Sequence, residues 1–156
     1  MSERSTNHGT FVIERSYEAR PARVWQAWAD PDEKRRWFGP RVLDKPNHEL
    51  DFRVGGSERL TVQAGDGALY TFVSRYQDIV AGERLIHTYE MYRDDARISV
   101  SVATVELEAE GAGTRLTLTE QGVFLDGLDD PAEREHGTRE LLDALAAHVE
   151  STGGEA

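Results

Sequence analysis

The chain has 156 residues, a formal net charge of −11 and no cysteine. That length fits one domain, and a domain of that size buries about 70% of the surface its unfolded chain would expose without a disulfide or metal staple. The charge excludes affinity for phosphate backbones and anionic bilayers, and the missing thiols exclude a disulfide framework, a thiolate metal site and a cysteine nucleophile.

Residues 1–9 are polar, carry no apolar leader and read as a tail. No run of about 20 apolar residues is present to cross a bilayer. The expected location is cytoplasmic. Residues 10–151 read as one domain and 152–156 as a second tail. Phe11, Ile13 and Tyr17 alternate with Glu14 and Ser16, which predicts a half-buried strand over 10–17. Pro21 then opens a helix carrying Val24, Trp25, Ala27 and Trp28. Asp30-Pro31-Asp32-Glu33 starts a second one, with Asp30 as cap and Glu33 placed for a capping box; it ends near Trp37-Phe38, before Gly39-Pro40.

From residue 48 the period changes to two. Leu50, Phe52 and Val54 alternate with Glu49, Asp51 and Arg53 up to Gly55-Gly56, and Leu60 and Val62 begin the next strand. Gly65-Asp66-Gly67 turns into a strand over 70–80 with Tyr70, Phe72 and Tyr76 on one face. After Ala81-Gly82-Glu83, the residues Leu85, His87, Tyr89 and Met91 share a face as far as Asp94-Asp95. Ile98, Val100 and Val102 share one phase and Val105 and Leu107 the other. A β-bulge near Ala103-Thr104, or a strand whose covered face changes along its length, accounts for that slip. Gly111-Ala112-Gly113 leads into a strand over 114–121 with Leu116 and Leu118 inward. The last element is a helix over 131–150, capped by Asp129 or Asp130, whose apolar stripe of Leu141, Leu142, Leu145 and Val149 is dense only in its second half. The polar half, Glu133 to Arg139, contains Gly137 and is expected to stand away from the sheet over a cavity.

Strand, two short helices, a run of antiparallel strands and a long final helix is the order of the helix-grip fold. The sequence resembles the activator of Hsp90 ATPase C-terminal-domain-like branch of the START-like (SRPBCC) superfamily. The resemblance is carried by Val24-Trp25-x-Ala27-Trp28, Asp30-Pro31, Trp37-Phe38-Gly39-Pro40, Asp51-x-Arg53-x-Gly55-Gly56, Glu83-Arg84-Leu85, Gly113-Thr114-Arg115-Leu116-Thr117-Leu118, His136-Gly137 and Leu142-x-x-Leu145. It implies an α+β fold: a curved antiparallel sheet of six to seven strands wrapped around a long C-terminal helix, with two short helices after the first strand. It also implies a small apolar or amphipathic ligand. Where the branch usually has a tryptophan after the glycine of the last helix, this chain has Thr138, so the resemblance implies a roomier and more polar cavity. It supplies no catalytic motif to map, and fold alone does not fix chemistry.

The expected cavity lining is Trp28, Trp37, Phe52, Tyr70, Phe72, His87, Tyr89, Glu120, Gly137, Thr138 and Leu141. Glu120 shares parity with Leu116 and Leu118, so an unbroken strand turns it inward as an acid or base; a strand that frays before Gly122 leaves it solvated. His87 is the second acid–base candidate, with a hydrogen-bonded histidine on a half-buried face as its structural alternative. Tyr70, Tyr76, Tyr89 and Tyr92 carry hydroxyls that a ligand or simple packing would use. Asp51, Arg53 and Glu90 read as a salt-bridged cluster, or Arg53 reaches into the cavity for a carboxylate. Trp25, Trp28 and Trp37 read as core and rim.

His8, His48, His87, His136 and His148 show no metal-ligand spacing, and the chain contains neither a phosphate loop nor a nucleophile elbow, so no metal and no cofactor are expected. The leading expectation is a small-molecule binding domain. A cyclase, dehydratase or hydrolase acting on a cyclic or aromatic metabolite is the alternative. A chaperone-interacting module is a third reading, and the absence of an N-terminal companion domain counts against an Hsp90-type partner. A homodimer through a sheet edge or helix face is left open.

Overall fold

The computed structural model describes residues 4–39 and 48–151. Its elements run β1 (Thr6–Tyr17), α1 (Pro21–Ala29), α2 (Pro31–Trp37), β2 (His48–Leu50), β3 (Ser57–Gln63), β4 (Leu69–Val80), β5 (Arg84–Arg93), β6 (Ala96–Glu110), β7 (Gly113–Leu125) and α3 (Pro131–Ser151). The strands form one antiparallel sheet ordered β1-β7-β6-β5-β4-β3-β2. Neighbours from β2 to β7 are consecutive in the chain, and β1 closes the far side against β7. This is the helix-grip fold, with α3 held in the curve of the sheet.

Alternation explains the grip. Phe11, Ile13 and Tyr17 of β1, Leu85 of β5, Val105 and Leu107 of β6, and Leu116 and Leu118 of β7 are buried with Val24, Trp28, Leu142, Leu145 and Val149 of the helices. Each fully buried aliphatic side chain contributes about 1.5–3 kcal/mol relative to exposure. The three α3 residues therefore anchor its second half, and the Tyr17 hydroxyl donates to the Leu142 carbonyl at 3.1 Å. Asp30 caps α2 as expected, its Oδ1 accepting from the amides of Asp32 at 2.8 Å and Glu33 at 3.2 Å. The reciprocal half of the capping box is not formed. Glu33 turns instead to Arg23 at 2.6 Å and His148 at 2.9 Å, which ties both short helices to α3.

Four expectations about element boundaries are corrected. First, β1 starts at Thr6, so residues 6–9 are not tail: they pair with residues 122–125. β7 does not fray at Gly122 but runs on to Leu125 and supplies their partner. A Cβ on Gly122 would lie 2.6 Å from the Ser101 hydroxyl, so glycine lets that hydroxyl sit close against β7. Residues 1–3 and 152–156 lie outside the described residues, as does Pro40.

Second, β2 stops at Leu50, and Phe52 and Val54 are not strand residues. The chain turns there because the Asp51 amide donates to Ser57, and Gly55 takes a φ of 84° that a side chain would strain. Third, the slip in β6 is not at Ala103-Thr104. Met91 faces Ser99 and Tyr92 faces Arg97, so Ile98 is the extra residue of a bulge. Fourth, the buried phase of β6 is therefore opposite to that of Val100: Ser99, Ser101, Ala103 and Val105 are buried, and Val100 is exposed.

Candidate functional site

Between the first half of α3, the end of α2 and the concave face of the sheet lies a pocket of about 660 Å³. Small residues on the floor and a polar half-helix above leave this space. Ala103 lines it from β6, and Gly137 lines it from α3, where an added Cβ would meet nothing within 4 Å. Trp28, Trp37 and Phe38 wall one side, and Phe72, His87, Tyr89 and Met91 another. The rings meet edge to face: Trp28 and Trp37 at 4.8 Å between centroids, and Phe38 and Phe72 at 5.1 Å. Such pairs contribute about 0.5–1.5 kcal/mol beyond their buried area and hold the walls in place.

One end of the pocket is polar. The Tyr89 hydroxyl donates to Glu120 Oε2 at 2.6 Å and accepts from Arg134 Nη1 at 2.9 Å. Arg134 Nη2 donates to the Ser99 hydroxyl at 3.0 Å and to Asp129. The guanidinium also lies over the rings of Tyr89 and Phe124, at 5.5 and 5.2 Å. Glu120 is 3% exposed. Burial pushes its carboxyl above the usual range, against the hydrogen bond from Tyr89 and the charge of Arg134. Burial also raises the Tyr89 phenol, with the neighbouring Glu120 charge adding to the rise, so it stays a donor.

His87 stands in the aromatic wall, stacked on Tyr89 at 5.8 Å and sharing a hydrogen bond between its Nδ1 and the Ser74 hydroxyl at 3.1 Å. Burial, reinforced by the charge of Lys34, pushes its pKa down to about 4, so the imidazole is neutral at pH 7. Behind this wall is a second buried polar cluster. Lys34 Nζ donates to Glu58 Oε1 at 2.6 Å, the Tyr76 hydroxyl donates to the same oxygen at 2.8 Å, and His48 Nε2 bonds Oε2 at 2.8 Å. It links α2, β2, β3 and β4 and fixes the helix that carries Trp37.

Ten of the eleven residues expected to line a cavity are brought together: Trp28, Trp37, Tyr70, Phe72, His87, Tyr89, Glu120, Gly137, Thr138 and Leu141. Phe52 is not among them. The turn after Leu50 sends it to the other side of the core, against Trp25 at 5.7 Å and Tyr76 at 5.0 Å. Of the cluster expected from Asp51, Arg53 and Glu90, the Asp51–Arg53 pair forms and Glu90 stands apart. Arg53 pairs with Asp51 at the surface with its side chain 72% exposed, and Glu90 pairs with Arg97 at 2.8 Å. Arg134 and the Lys34–Glu58 pair escaped the sequence reading. The signals were present: Glu58 shares parity with Leu60, and Arg134 lies four and seven residues before Thr138 and Leu141 on one helix face. Among the described residues no group of three or more potential ligands is placed to hold a metal, and no helix is long and apolar enough to cross a membrane.

The model of the family described as activator of Hsp90 ATPase homolog 1-like protein matches residues 18–150, nearly the whole chain. The chain belongs to that family. A solved protein from Rhizobium leguminosarum is similar at 45% identity and a TM-score of 0.91, covering 95% of this chain and 98% of its own. The Mll3558 protein from Rhizobium loti is also 45% identical, with a TM-score of 0.84 over 92% of this chain and 99% of its own. CalU16 from Micromonospora echinospora shares the family's fold at 22% identity and a TM-score of 0.66, over 94% of this chain and 85% of its own. No curated protein matches the chain.

Proposed function

We propose that this family member binds a small apolar or amphipathic molecule in the pocket under α3, its apolar body against the aromatic walls and its polar end at Glu120, Tyr89 and Arg134. The observation that carries this reading is the pairing of a largely apolar space of about 660 Å³ with one convergent polar cluster at its end. That is the usual build of a small-molecule site. A ligand at a hundred times its Kd stabilises the folded state by about 2.7 kcal/mol. Native mass spectrometry of the purified chain, with thermal-shift screening of amphipathic metabolites, is expected to give an adduct and a concentration-dependent rise in Tm. Gly137→Trp directs a ring into the open space above the floor and is expected to abolish both while leaving the helix intact, because tryptophan has the higher helix propensity. A Gly137→Trp variant that takes up the same ligand with unchanged affinity would contradict the reading.

A second reading, an acid–base enzyme of the cyclase, dehydratase or hydrolase kind, is favoured by one observation: the carboxyl of Glu120 is pushed up by burial, and it shares the pocket with His87. A carboxyl whose pKa is raised by burial is better suited to giving up and taking a proton than a free one. On this reading Glu120→Gln lowers kcat by about 100-fold or more with ligand affinity largely kept, as read by turnover and calorimetry on the same sample. Turnover unchanged by the substitution would exclude the role.

A further inference from the structure

We infer that this pocket selects ligands whose polar end is a hydrogen-bond donor, a hydroxyl, phenol or amine, and rejects those whose polar end is a carboxylate. The inference rests on the binding reading above and goes on to name the chemistry of the ligand. The first ground is charge. Glu120, Asp129, Glu133 and Glu140 line the pocket, and among the described residues Arg134 is the one cationic side chain that lines it with them. Arg134 forms an ion pair with Asp129 and lies 3.8 Å from Glu120 Oε2, so it is already shared between two carboxylates. Lys34 lies behind the wall, 1% exposed and paired with Glu58, and the imidazole of His87 is neutral. An anionic ligand would add a further negative charge to this end, where the low dielectric magnifies repulsion.

The second ground is hydrogen-bond commitment. Arg134 spends Nη1 on the Tyr89 hydroxyl and Nη2 on Ser99 and Asp129. Tyr89 spends its single proton on Glu120. The indole nitrogen of Trp28 has no hydrogen-bond partner among the described residues, but it is closed off from the pocket. An incoming acceptor therefore finds three of the five guanidinium N–H groups and the Tyr89 proton already engaged, and competes with Asp129 and Glu120 for the rest. A donor finds a carboxylate, which offers about four lone-pair sites. A hydrogen bond to an ionised carboxylate is roughly twice as strong as one between neutral groups, and a protonated amine gains more still.

The test is a matched series with one apolar body: 1-naphthylmethanol, 1-naphthylmethylamine, methyl 1-naphthoate and 1-naphthoate, titrated calorimetrically at neutral pH into the full chain and into Glu120→Gln. The alcohol and the amine are expected to bind at least about tenfold more tightly than the carboxylate, a difference of about 1.4 kcal/mol. In Glu120→Gln the amine should lose its advantage and the carboxylate should gain. The wild-type ranking alone decides the matter if that variant folds poorly. A carboxylate bound as tightly as the alcohol overturns the donor rule and leaves the pocket reading standing. No binding of any of the four, by calorimetry and native mass spectrometry, overturns both.

Discussion

Glu58→Ala is expected to lower the unfolding free energy by about 3–5 kcal/mol at neutral pH, measured by urea denaturation. Glu58 and the Lys34 side chain are each 1% exposed, and their ion pair is 2.6 Å long. Removing the carboxylate leaves the ammonium in the interior with no counter-charge. The rings of Phe38 at 4.3 Å and Trp28 at 5.2 Å recover part of that loss, since a desolvated cation on an aromatic face gains about 2 kcal/mol. His48 and Tyr76 lose their acceptor at the same time. Deleting both charges is a different experiment: Lys34→Met with Glu58→Leu should cost less than Glu58→Ala alone, because no unpaired charge remains. A Glu58→Ala variant as stable as wild type would show that the pair does not hold α2 to the sheet.

The acid dependence of that difference has a definite sign. Burial raises the Glu58 carboxyl, but the charge of Lys34 and the bonds from His48, Lys34 and Tyr76 outweigh it and bring the pKa down to about 2. Its folded value lies below its unfolded one, so its stabilisation is present above the unfolded value and is lost as pH falls through the folded one. The stability gap between wild type and Glu58→Ala should therefore narrow between about pH 5 and about pH 2.

Alternation made most of the sheet legible, and it also shows where reading stops. On β7, Leu116 and Leu118 are buried and Glu120 follows their parity into the pocket, so an apolar phase located a polar group. On β6 the same logic found two phases, of which that of Val105 and Leu107 is the buried one, but it put the slip at Ala103-Thr104 rather than at Ile98. Ser99, Ser101 and Ala103 are buried, with Ala103 on the pocket floor, and Val100 on the outer side reflects β-propensity rather than burial. Phe52 was misplaced because its alternation continues after the strand has ended. Arg134 and Lys34 sit in polar stretches whose meaning depends on partners 45 and 24 residues away, Tyr89 and Glu58, and no local window contains both members of either pair.

Arg134→Leu should cost about 3–5 kcal/mol at neutral pH, a deficit that, like that of Glu58→Ala, shrinks on acidification but for a different reason. Arg134 gives hydrogen bonds to Tyr89, Ser99 and Asp129, and its charge opposes the upward push that burial exerts on Glu120. Without it the buried carboxyl rises further. A carboxyl whose folded pKa lies above its unfolded one destabilises the fold at high pH, where it must ionise, and ceases to do so once the pH is low enough to protonate it in both states. The deficit of Arg134→Leu should therefore shrink on acidification. Adding Glu120→Gln should restore part of the loss at neutral pH, because the amide has no charge to desolvate and still accepts from Tyr89. Denaturant titrations of the single and double variants across pH measure both effects. A deficit that is flat with pH and not relieved by Glu120→Gln would mean that Arg134 acts through packing on Tyr89 and Phe124 alone, and the electrostatic account of this end of the pocket would fall.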